Sequence, residues 1–377
     1  MNVTYNVHID RKLDFLEKSV EFLEDEFGNF EGSPKWTSAL MRWKLSNANP
    51  YGEGILAVAE IDGKVIATVS LTCKLIILDG VEVLGGEVGD TYSNAKLRRT
   101  AVAKTLIATN RDPNHYTNKS IFGRLASEVT NHAKDIGCKV IYGTPNQNAL
   151  PGWKKLNFLE TLTYQNVSRS MPTSLYIKNA IRLPEPILTV VTFLGSQMVD
   201  FYRAIILKIF KPTKLRVENH FPSDKNIDYL WKKCRPLKGF SLVKDSKFFN
   251  YRFKDHPLQV YNYNSFYIDG ELSCLLITCI ETDFDGNKIV YICDCLMDEG
   301  ISFFYLLNYL AKIHDHLPVI KYNLWCEKFS YKFWHAFFSG FIGGSKIPII
   351  FFNSGEVSEK RLKSLELDFH LGSSDNI

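Results

Sequence analysis

The chain has 377 residues, and at ~100 to 200 residues per domain this length is enough for two or three domains. Hydrophobic residues make up 45% and charged residues 23%, values close to globular averages that exclude disordered, collagen-like and coiled-coil proteins. The formal net charge is +4, from 45 basic and 41 acidic residues, so a nucleic-acid partner is not expected.

The first segment of the chain, MNVTYNVHIDRKLDFLEK, lacks the apolar stretch of a secretion signal, so a cytoplasmic protein with reduced thiols is expected. Of the eight cysteines, Cys293 and Cys295 lie in the strand-like run IVYICDCLM, where alternation would put both thiols on one face. No pair of His or Cys residues follows at ligand spacing. We therefore predict core cysteines and no metal.

The first half of the chain predicts a hairpin followed by strand, helix, strand, helix and strand. Apolar runs flank Ile61-Asp62-Gly63, and Asp-Gly between such runs predicts a tight turn because glycine readily takes a positive φ. A strand over 82–88 follows, then a helix from about Ser120 to Gly137, and then the apolar strand KVIYGTP. This order predicts a mixed α/β unit.

The longest apolar stretch, PILTVVTFLGSQMVDFYRAIILKIF, runs from Pro186 to Phe210. Only the 14 residues before Asp200 are free of charge, fewer than the ~20 that span a bilayer, so no transmembrane segment is expected. The spacing of Asp200, Arg203 and Lys208 allows one polar stripe. The pattern therefore predicts a helix that packs against a domain or, as the alternative, lies on a membrane surface.

The second half of the chain repeats the order of elements in the first. His256-Pro257 and Ile268-Asp269-Gly270 follow Asn49-Pro50 and Ile61-Asp62-Gly63 at an offset of 207 residues. The same offset places Glu87 opposite Asp294. Such a repeat predicts one α/β unit used twice, in regions 1–170 and 236–377, with a helical connector over 171–235.

After the fourth strand of each unit the offset falls to 182, where SIFGRL at 120–125 meets SFFYLL at 302–307. The difference, 207 minus 182, is a segment of 25 residues that only the first half has, between about Tyr92 and Lys119. Insertions of this length are usually functional loops or disordered segments. This one is rich in basic residues, so a binding loop is one prediction.

Four short segments resemble the GNAT acyltransferase superfamily, here in tandem: Arg42-Trp43-Lys44, Asn49-Pro50, Gly89-Asp90-Thr91-Tyr92 and Tyr142-Gly143-Thr144-Pro145-Asn146. The resemblance covers the chain to about residue 172 and, more weakly, 236–352. It is closest to bacterial enzymes that acylate dTDP-3-amino-3,6-dideoxyhexoses from acyl-CoA, such as the hydroxybutyryltransferase type. It implies an α/β protein of two tandem GNAT-like domains, each a mixed central sheet flanked by helices.

The resemblance also implies where acyl-CoA binds, in an opening between the fourth and fifth strands beside Thr91, Tyr92 and Ser93. A pyrophosphate requires free N–H groups at a helix N-terminus. These would come from the loop and helix start formed by Tyr116, Thr117, Asn118, Lys119, Ser120 and Ile121, or from the alternative loop with Arg98 and Arg99. Asn118 and Ser120 stand where the family has glycines; Asn tolerates a positive φ, and Ser caps helices.

Amide formation requires a base for the amine and a donor for the thioester oxygen. Asp90, at the end of the fourth strand, is the first candidate base, and a turn carboxylate is the equal alternative. Glu87 and His115 are the other candidates, although Glu87 has a structural alternative. The resemblance implies the backbone N–H of Tyr92 as the donor. Where the family has an acidic tyrosine, this chain has Trp153, which only donates a hydrogen bond.

The remaining candidates concern binding. Asn146 and Asn148 follow the fifth strand and would bind the pantetheine or the sugar, or else cap a helix. Trp36, Arg42 and Trp325 are candidates for the acceptor pocket, and Trp153 for the cofactor. In the second half, Asp298 and Glu299 at the helix start would repel a pyrophosphate, so this half is expected to complete the acceptor site without binding CoA.

The predicted activity is transfer of an acetyl or 3-hydroxybutyryl group from acyl-CoA to a nucleotide-linked amino sugar used for surface polysaccharide. Acyl-CoA is the co-substrate, and the nucleotide sugar is the expected partner. Two alternatives stay open: a tandem-GNAT aminoacyl transferase of peptidoglycan precursors, and a non-catalytic acyl-CoA-binding scaffold.

Overall fold

The computed structural model describes residues 3–27, 36–94, 101–106, 120–160, 164–170, 184–282, 286–314, 319–327, 332, 334, 336, 339, 341–352, 359–363 and 367–368. Within these residues the chain forms two mixed β-sheets flanked by helices, as predicted for the fold class.

The first half begins with a strand and two helices that lead into the predicted hairpin. Its elements are β1 (Val3–Asp10), α1 (Leu16–Phe27), α2 (Ser38–Leu45), β2 (Ile55–Ile61), β3 (Lys64–Leu78), β4 (Val81–Ser93), β5 (Ala101–Leu106), α3 (Ile121–Asp135), β6 (Val140–Gly143), α4 (Leu150–Lys154), β7 (Phe158–Glu160) and β8 (Tyr164–Ser170). Asp62 and Gly63 turn β2 into β3 with φ of 49° and 81°. Gly137, with φ of 92°, follows the end of α3 as predicted.

The second half repeats this order after a long helix. Its elements are α5 (Glu185–Ile209), β9 (Leu215–Glu218), α6 (Asp224–Cys234), β10 (Phe240–Leu242), α7 (Ser246–Phe249), a π-helical turn (Asn250–Lys254), β11 (Asn262–Ile268), β12 (Glu271–Thr282), β13 (Lys288–Met297), α8 (Phe303–Ile313), β14 (Val319–Glu327), β15 (Ile342–Ile347), β16 (Ile350–Phe352), α9 (Glu359–Lys363) and β17 (Leu367–Asp368). Asp269 and Gly270 form the second predicted turn, with φ of 51° and 87°.

The first sheet has the strand order β5-β1-β2-β3-β4-β6-β16-β7, and β10 with its neighbour β17 extends it from the end of β3. The second sheet has the order β15-β8-β14-β13-β12-β11-β9. The described part of the 25-residue insertion is β5, which pairs in parallel with β1 at the sheet edge. Part of this segment is therefore a strand of the sheet rather than a loop.

The two halves exchange strands. β8 comes before the predicted connector, yet it pairs with β14 and β15 in the second sheet. β16, from the C-terminal part, lies between β6 and β7 in the first sheet. β9 lies within the predicted connector and pairs with β11. Strand pairing thus crosses the boundaries predicted at residues 170 and 236, because the order of elements in a sequence does not fix which sheet a strand joins.

The halves also share one hydrophobic core. Tyr142 of β6 packs against Phe240 of β10 and Phe351 of β16, with ring centroids 5.2 and 6.3 Å apart. Trp43 of α2 stacks on Tyr251 at 4.4 Å, and the hydroxyl of Tyr251 donates to the carbonyl of Trp43 (2.9 Å). Aromatic contacts of this kind hold the halves together over a continuous buried surface.

Cys293 and Cys295 are buried, as predicted, but they lie on opposite faces of β13. Cys293 belongs to the shared core, and Cys295 to the core beneath α8. The prediction of one common face was wrong because the pairing of β12 with β13 shifts register between Ile277 and Thr278, which leaves Cys293 in a bulge. Burial raises the pKa of the Cys293 thiol, consistent with a core residue.

Phe351→Ala tests the strand exchange. Phe351 is fully buried in the shared core, so its truncation should lower the free energy of unfolding by about 3–5 kcal/mol, measured by urea denaturation. The matched control is Phe193→Ala, an exposed position where the change should be within about 0.5 kcal/mol. Equal effects at both positions would show that β16 does not pack into the first sheet.

Candidate active site between strands β4 and β6

Two parallel strands of the first sheet stop pairing part-way along β4, and we call the place beyond their last pair the opening. β4 and β6, the fourth and fifth strands of the family pattern, pair from Gly85 with Val140 to Val88 with Gly143. β6 ends there, whereas β4 continues to Ser93. A Cβ atom at Gly143 would lie 2.6 Å from Cγ2 of Val88, so this point of divergence requires glycine. Past it, no strand among the described residues pairs with the edge of β4 that faced β6.

The open part of β4 is bulged. Ser70 of β3 pairs with Gly89 and Thr68 with Tyr92, so that Asp90 and Thr91 together oppose one residue of β3. Asp90 has φ of 42°, and its carbonyl accepts a hydrogen bond from the Thr68 hydroxyl (2.7 Å). The added residue shifts the alternation of the strand beyond the bulge.

The bulge decides which N–H groups face the opening. The N–H of Asn94 donates to the carbonyl of Ile66 (2.9 Å), and Tyr92 pairs with Thr68 on the same strand. N–H groups alternate along a strand, so that of Tyr92 points toward β3, as does that of Asn94. The N–H of Thr91 points away from β3, because the carbonyl of the same peptide unit, that of Asp90, accepts from Thr68 of β3. This direction differs from the expectation that Tyr92 is the free donor.

The carboxylate of Asp90 is held by three donors. The indole of Trp36 donates to Oδ1 (3.0 Å), while the ammonium of Lys44 (2.7 Å) and the hydroxyl of Ser70 (2.6 Å) donate to Oδ2. The Lys44 and Asp90 side chains are almost fully buried. Asp90 thereby ties α2 to the bulge. Its role as base stays a prediction.

Two of these donors were missed from the sequence. Lys44 lies in the segment Arg42-Trp43-Lys44 quoted for the family resemblance, and a lysine inside the apolar run of α2 was the available signal. Ser70 looks like any small polar residue of a β-strand. Trp36, expected to bind substrate, binds Asp90 instead, because the cap at Thr37 begins α2 directly beside the bulge.

Glu87 is buried on β4, one residue before the last pair that β4 forms with β6. Its Oε2 accepts a hydrogen bond from the Tyr142 hydroxyl (3.4 Å) and lies 3.6 Å from the ammonium of Lys74. Asp294, its counterpart in the second half, is buried 3.1 Å from the ammonium of Lys244. Both halves therefore keep a buried carboxylate and lysine at this position, which favours the structural alternative for Glu87.

The N-terminus of α3 lies at the same end of the sheet as the opening, because α3 connects the parallel strands β4 and β6. Ser120 caps it, and the Ser120 hydroxyl accepts from the N–H of Gly123 (3.1 Å). The N–H groups of Ile121 and Phe122, in the first turn, have no carbonyl acceptor within the helix. They form an anion site of the kind expected for a pyrophosphate.

The loops predicted to supply the other phosphate contacts lie outside the described residues. This applies to Arg98, Arg99, His115, Tyr116, Thr117, Asn118 and Lys119. Their assignment, including His115 as an alternative base, stays a prediction.

Several predicted binding residues have structural partners. Asn146 accepts hydrogen bonds from the N–H groups of Asn148 (3.1 Å) and Ala149 (2.9 Å), so it has the capping contacts of the second alternative. Trp153 is buried against Phe122 and Phe158, a position that favours packing over contact with the cofactor.

Five further predicted residues also have contacts within the protein or are buried in it. Arg42 forms an exposed ion pair with Glu17 of α1 (3.0 Å), and the hydroxyl of Tyr92 donates to Glu26 (2.8 Å). The Thr91 hydroxyl donates to the carbonyl of Gly89 (3.0 Å), and the Ser93 side chain is buried. Trp325 lies on β14 in the second sheet and packs against the shared core.

The corresponding place in the second half holds a buried lysine beside its carboxylate. β13 and β14 pair as far as Ile292 with Leu324, and Lys244 lies against Asp294 with Asp368 on its other side (3.3 Å). Burial of Lys244 opposes its charge, but Asp294 and Asp368 outweigh that effect and raise the pKa of Lys244 above its ordinary value.

The start of α8 differs from that of α3 in charge. It borders a recess of about 1120 Å³ that is lined by Asp269, Glu271, Asp298 and Glu299 and also by Lys233 and Arg235. Asp298 and Glu299 lie just before the helix start, while Lys233 pairs with Glu271. Carboxylates beside a helix N-terminus repel phosphate groups. The electrostatics support the expectation that this half does not bind CoA.

Comparison with solved structures shows the fold. Three similar structures are a conserved protein of unknown function from Enterococcus faecalis V583, described as a probable N-acyltransferase (TM-score 0.56, 10% identity, 93% of this chain and 72% of that chain covered), a GCN5-related N-acetyltransferase from Anabaena variabilis ATCC 29413 (0.55, 9%, 92% and 72%), and the N-myristoyltransferase of Saccharomyces cerevisiae with bound myristoyl-CoA (0.53, 13%, 96% and 88%). The chain has the GNAT fold. No model of a known protein family matches the sequence, and no curated protein does.

Asp90→Asn separates a positioning role from catalysis. Removing the charge takes away the carboxylate that lies 2.7 Å from the buried ammonium of Lys44, so the free energy of unfolding should fall by about 3–5 kcal/mol in urea denaturation. Asp62→Asn is the matched control, since Asp62 also has a positive φ but is exposed in a turn, and it should change stability by less than about 0.5 kcal/mol. Unchanged stability of Asp90→Asn together with lost turnover would instead support Asp90 as the base.

Proposed function

We propose that the protein is an acyl-CoA-dependent N-acyltransferase whose active site is the opening between β4 and β6. The observation that carries this proposal is that β4 and β6 stop pairing after Val88 and Gly143. The N-terminus of α3 lies at the same end of the sheet. The unpaired edge of a strand can pair with an extended amide chain such as pantetheine, and a helix N-terminus can bind the pyrophosphate of CoA.

In this proposal the pantetheine pairs with β4 beside Thr91. The N–H of Thr91 faces away from β3, so it donates to the thioester oxygen as negative charge develops there. The pyrophosphate binds the N–H groups of Ile121 and Phe122. The amine attacks the thioester carbon, loses its proton, and the CoA thiolate leaves.

The amine proton requires an acceptor. Asp90 and His115 remain the candidates from the sequence, with Glu87 third. Asp90 lies at the bulge itself, but its bonds to Trp36, Lys44 and Ser70 favour a role in holding the bulge and thereby directing the N–H groups of β4. A base in the loop before α3 is consistent with this division of roles.

The acceptor in our proposal is the amino group of a nucleotide-linked sugar, and a dTDP-3-amino-3,6-dideoxyhexose is the first candidate. Its support is the family resemblance of the segments around Trp43, Asp90 and Tyr142. The same resemblance supports an acetyl or 3-hydroxybutyryl donor and a cytoplasmic reaction.

A thiol-release assay tests the proposed function. Purified protein is incubated with acetyl-CoA or 3-hydroxybutyryl-CoA and a panel of dTDP-amino sugars, and free CoA thiol is measured against time. Amine-dependent thiol release with one acceptor supports the proposal. CoA binding without release on any amine would instead support the scaffold, and transfer from aminoacyl-tRNA would support the peptidoglycan alternative.

Ser120→Asp tests the phosphate site. Aspartate caps a helix as well as serine does, so α3 should remain folded, while the added negative charge should weaken CoA binding about tenfold in isothermal titration calorimetry. Ser120→Asn is the neutral control, which also caps the helix and should keep the affinity within about threefold. Wild-type affinity of the Asp variant would place the pyrophosphate elsewhere, for example at the loop with Arg98 and Arg99.

A further inference from the structure

Helix α5 carries its apolar residues on the side that faces away from the protein. Six exposed side chains form this outward face: Ile187, Val190, Leu194, Met198, Phe201 and Ile205. The opposite side packs on α8, where Phe304 contacts Tyr202 and Phe210. Met198 and Phe201 are 73% and 69% exposed, far more than in a helix that covers a core.

The polar and apolar sides of α5 are therefore arranged in the reverse of the way usual for a helix on the surface of a protein in water. Arg203 is buried on the inner side and pairs with Asp200 (3.2 Å), whereas the outward face holds aliphatic and aromatic groups. Single exposed apolar residues are common, but a continuous apolar stripe marks a contact with a partner or a membrane. We therefore expect a partner or a membrane to cover the outward face.

The strand exchange excludes one explanation of the exposed apolar face, namely that α5 crosses a bilayer. By length and composition α5 is able to span a membrane, with a mean hydropathy of 1.3 over its apolar window. However, β8 precedes α5 and pairs with β14 and β15, which follow it. A single crossing would place these strands on opposite sides of the membrane. The helix must therefore lie along a surface.

The spacing of the outward face favours a flat partner over a second helix. Successive residues of the outward face are three or four positions apart along the chain. Five such steps lead from Ile187 to Ile205, 18 positions later, which is a mean of 3.6 residues per step. This equals the repeat of a straight helix, so the stripe runs parallel to the axis for about 27 Å. A pair of supercoiled helices would require 3.5 residues per step and an alternation of three and four.

Charge at the end of the helix points to anionic lipid. Lys208 and Lys211 are exposed at the C-terminal end of the apolar stripe. Amphipathic helices that lie in a bilayer interface combine an apolar face with lysines that reach the headgroups. We propose that α5 inserts its outward face into the surface of a membrane containing anionic phospholipids and so holds the whole protein there.

Vesicle binding of the full-length protein tests this inference, which does not depend on the proposed function. Wild-type protein should co-float with vesicles of about one part phosphatidylglycerol to three parts phosphatidylcholine. Met198→Glu combined with Phe201→Glu should weaken binding at least about 100-fold, because both side chains leave the apolar phase. Leu237→Glu combined with Val260→Glu is the matched control at positions 79% and 83% exposed elsewhere, and it should bind as wild type.

The lysines give a second readout. Lys208→Gln and Lys211→Gln should each weaken binding about fivefold on anionic vesicles and leave binding to pure phosphatidylcholine unchanged. Failure of the wild type to bind vesicles, or equal binding of both double variants, would overturn the inference. A wild-type dimer in light scattering that becomes a monomer in Met198→Glu with Phe201→Glu, without vesicle binding, would assign the outward face to a second copy of the chain.

Discussion

The exchange of β8 and β16 between the two sheets is the constraint on which the rest of the structure depends. β6 forms one wall of the opening, and β16 pairs with its other edge at Tyr142 and Gly143. The C-terminal part of the chain therefore supplies the second neighbour of β6. Since Phe351 also enters the shared core, the wall of the candidate site is only as stable as the contact between the halves.

The repeat preserves a buried carboxylate, and each half supplies the lysine beside it from a different element. Glu87 and Asp294 lie at matching places on β4 and β13, whereas Lys74 belongs to β3 and Lys244 follows β10. A buried ion pair gains little net stability over apolar packing, but losing one partner is costly, so such pairs fix geometry more than they strengthen a fold. The carboxylate is therefore kept for the geometry of the strand, and different segments of the chain meet that requirement in the two halves.

The sequence predicts the features that depend on neighbouring residues. The turns at Asp62-Gly63 and Asp269-Gly270, the cap at Ser120 and the end of α3 before Gly137 all follow from local backbone preferences. Features that depend on distant pairing could not be read in this way. The three donors on Asp90 come from separate segments of the chain, and the direction of the Tyr92 N–H depends on a bulge that no residue pattern marks.

The two halves have divided the work of one fold. The first keeps the strand opening and the helix N-terminus that a CoA ligand needs, and it places no carboxylate in the first turn of α3. The second supplies β16 to the first sheet and α8 as the surface on which α5 rests. The expectation that it binds no CoA fits this supporting role, because packing tolerates sequence change that a ligand site does not. The repeat agrees with such a division, since it keeps the turns, the strands and the serine before each helix but places Asp298 and Glu299 just ahead of α8, where α3 follows Asn118 and Lys119.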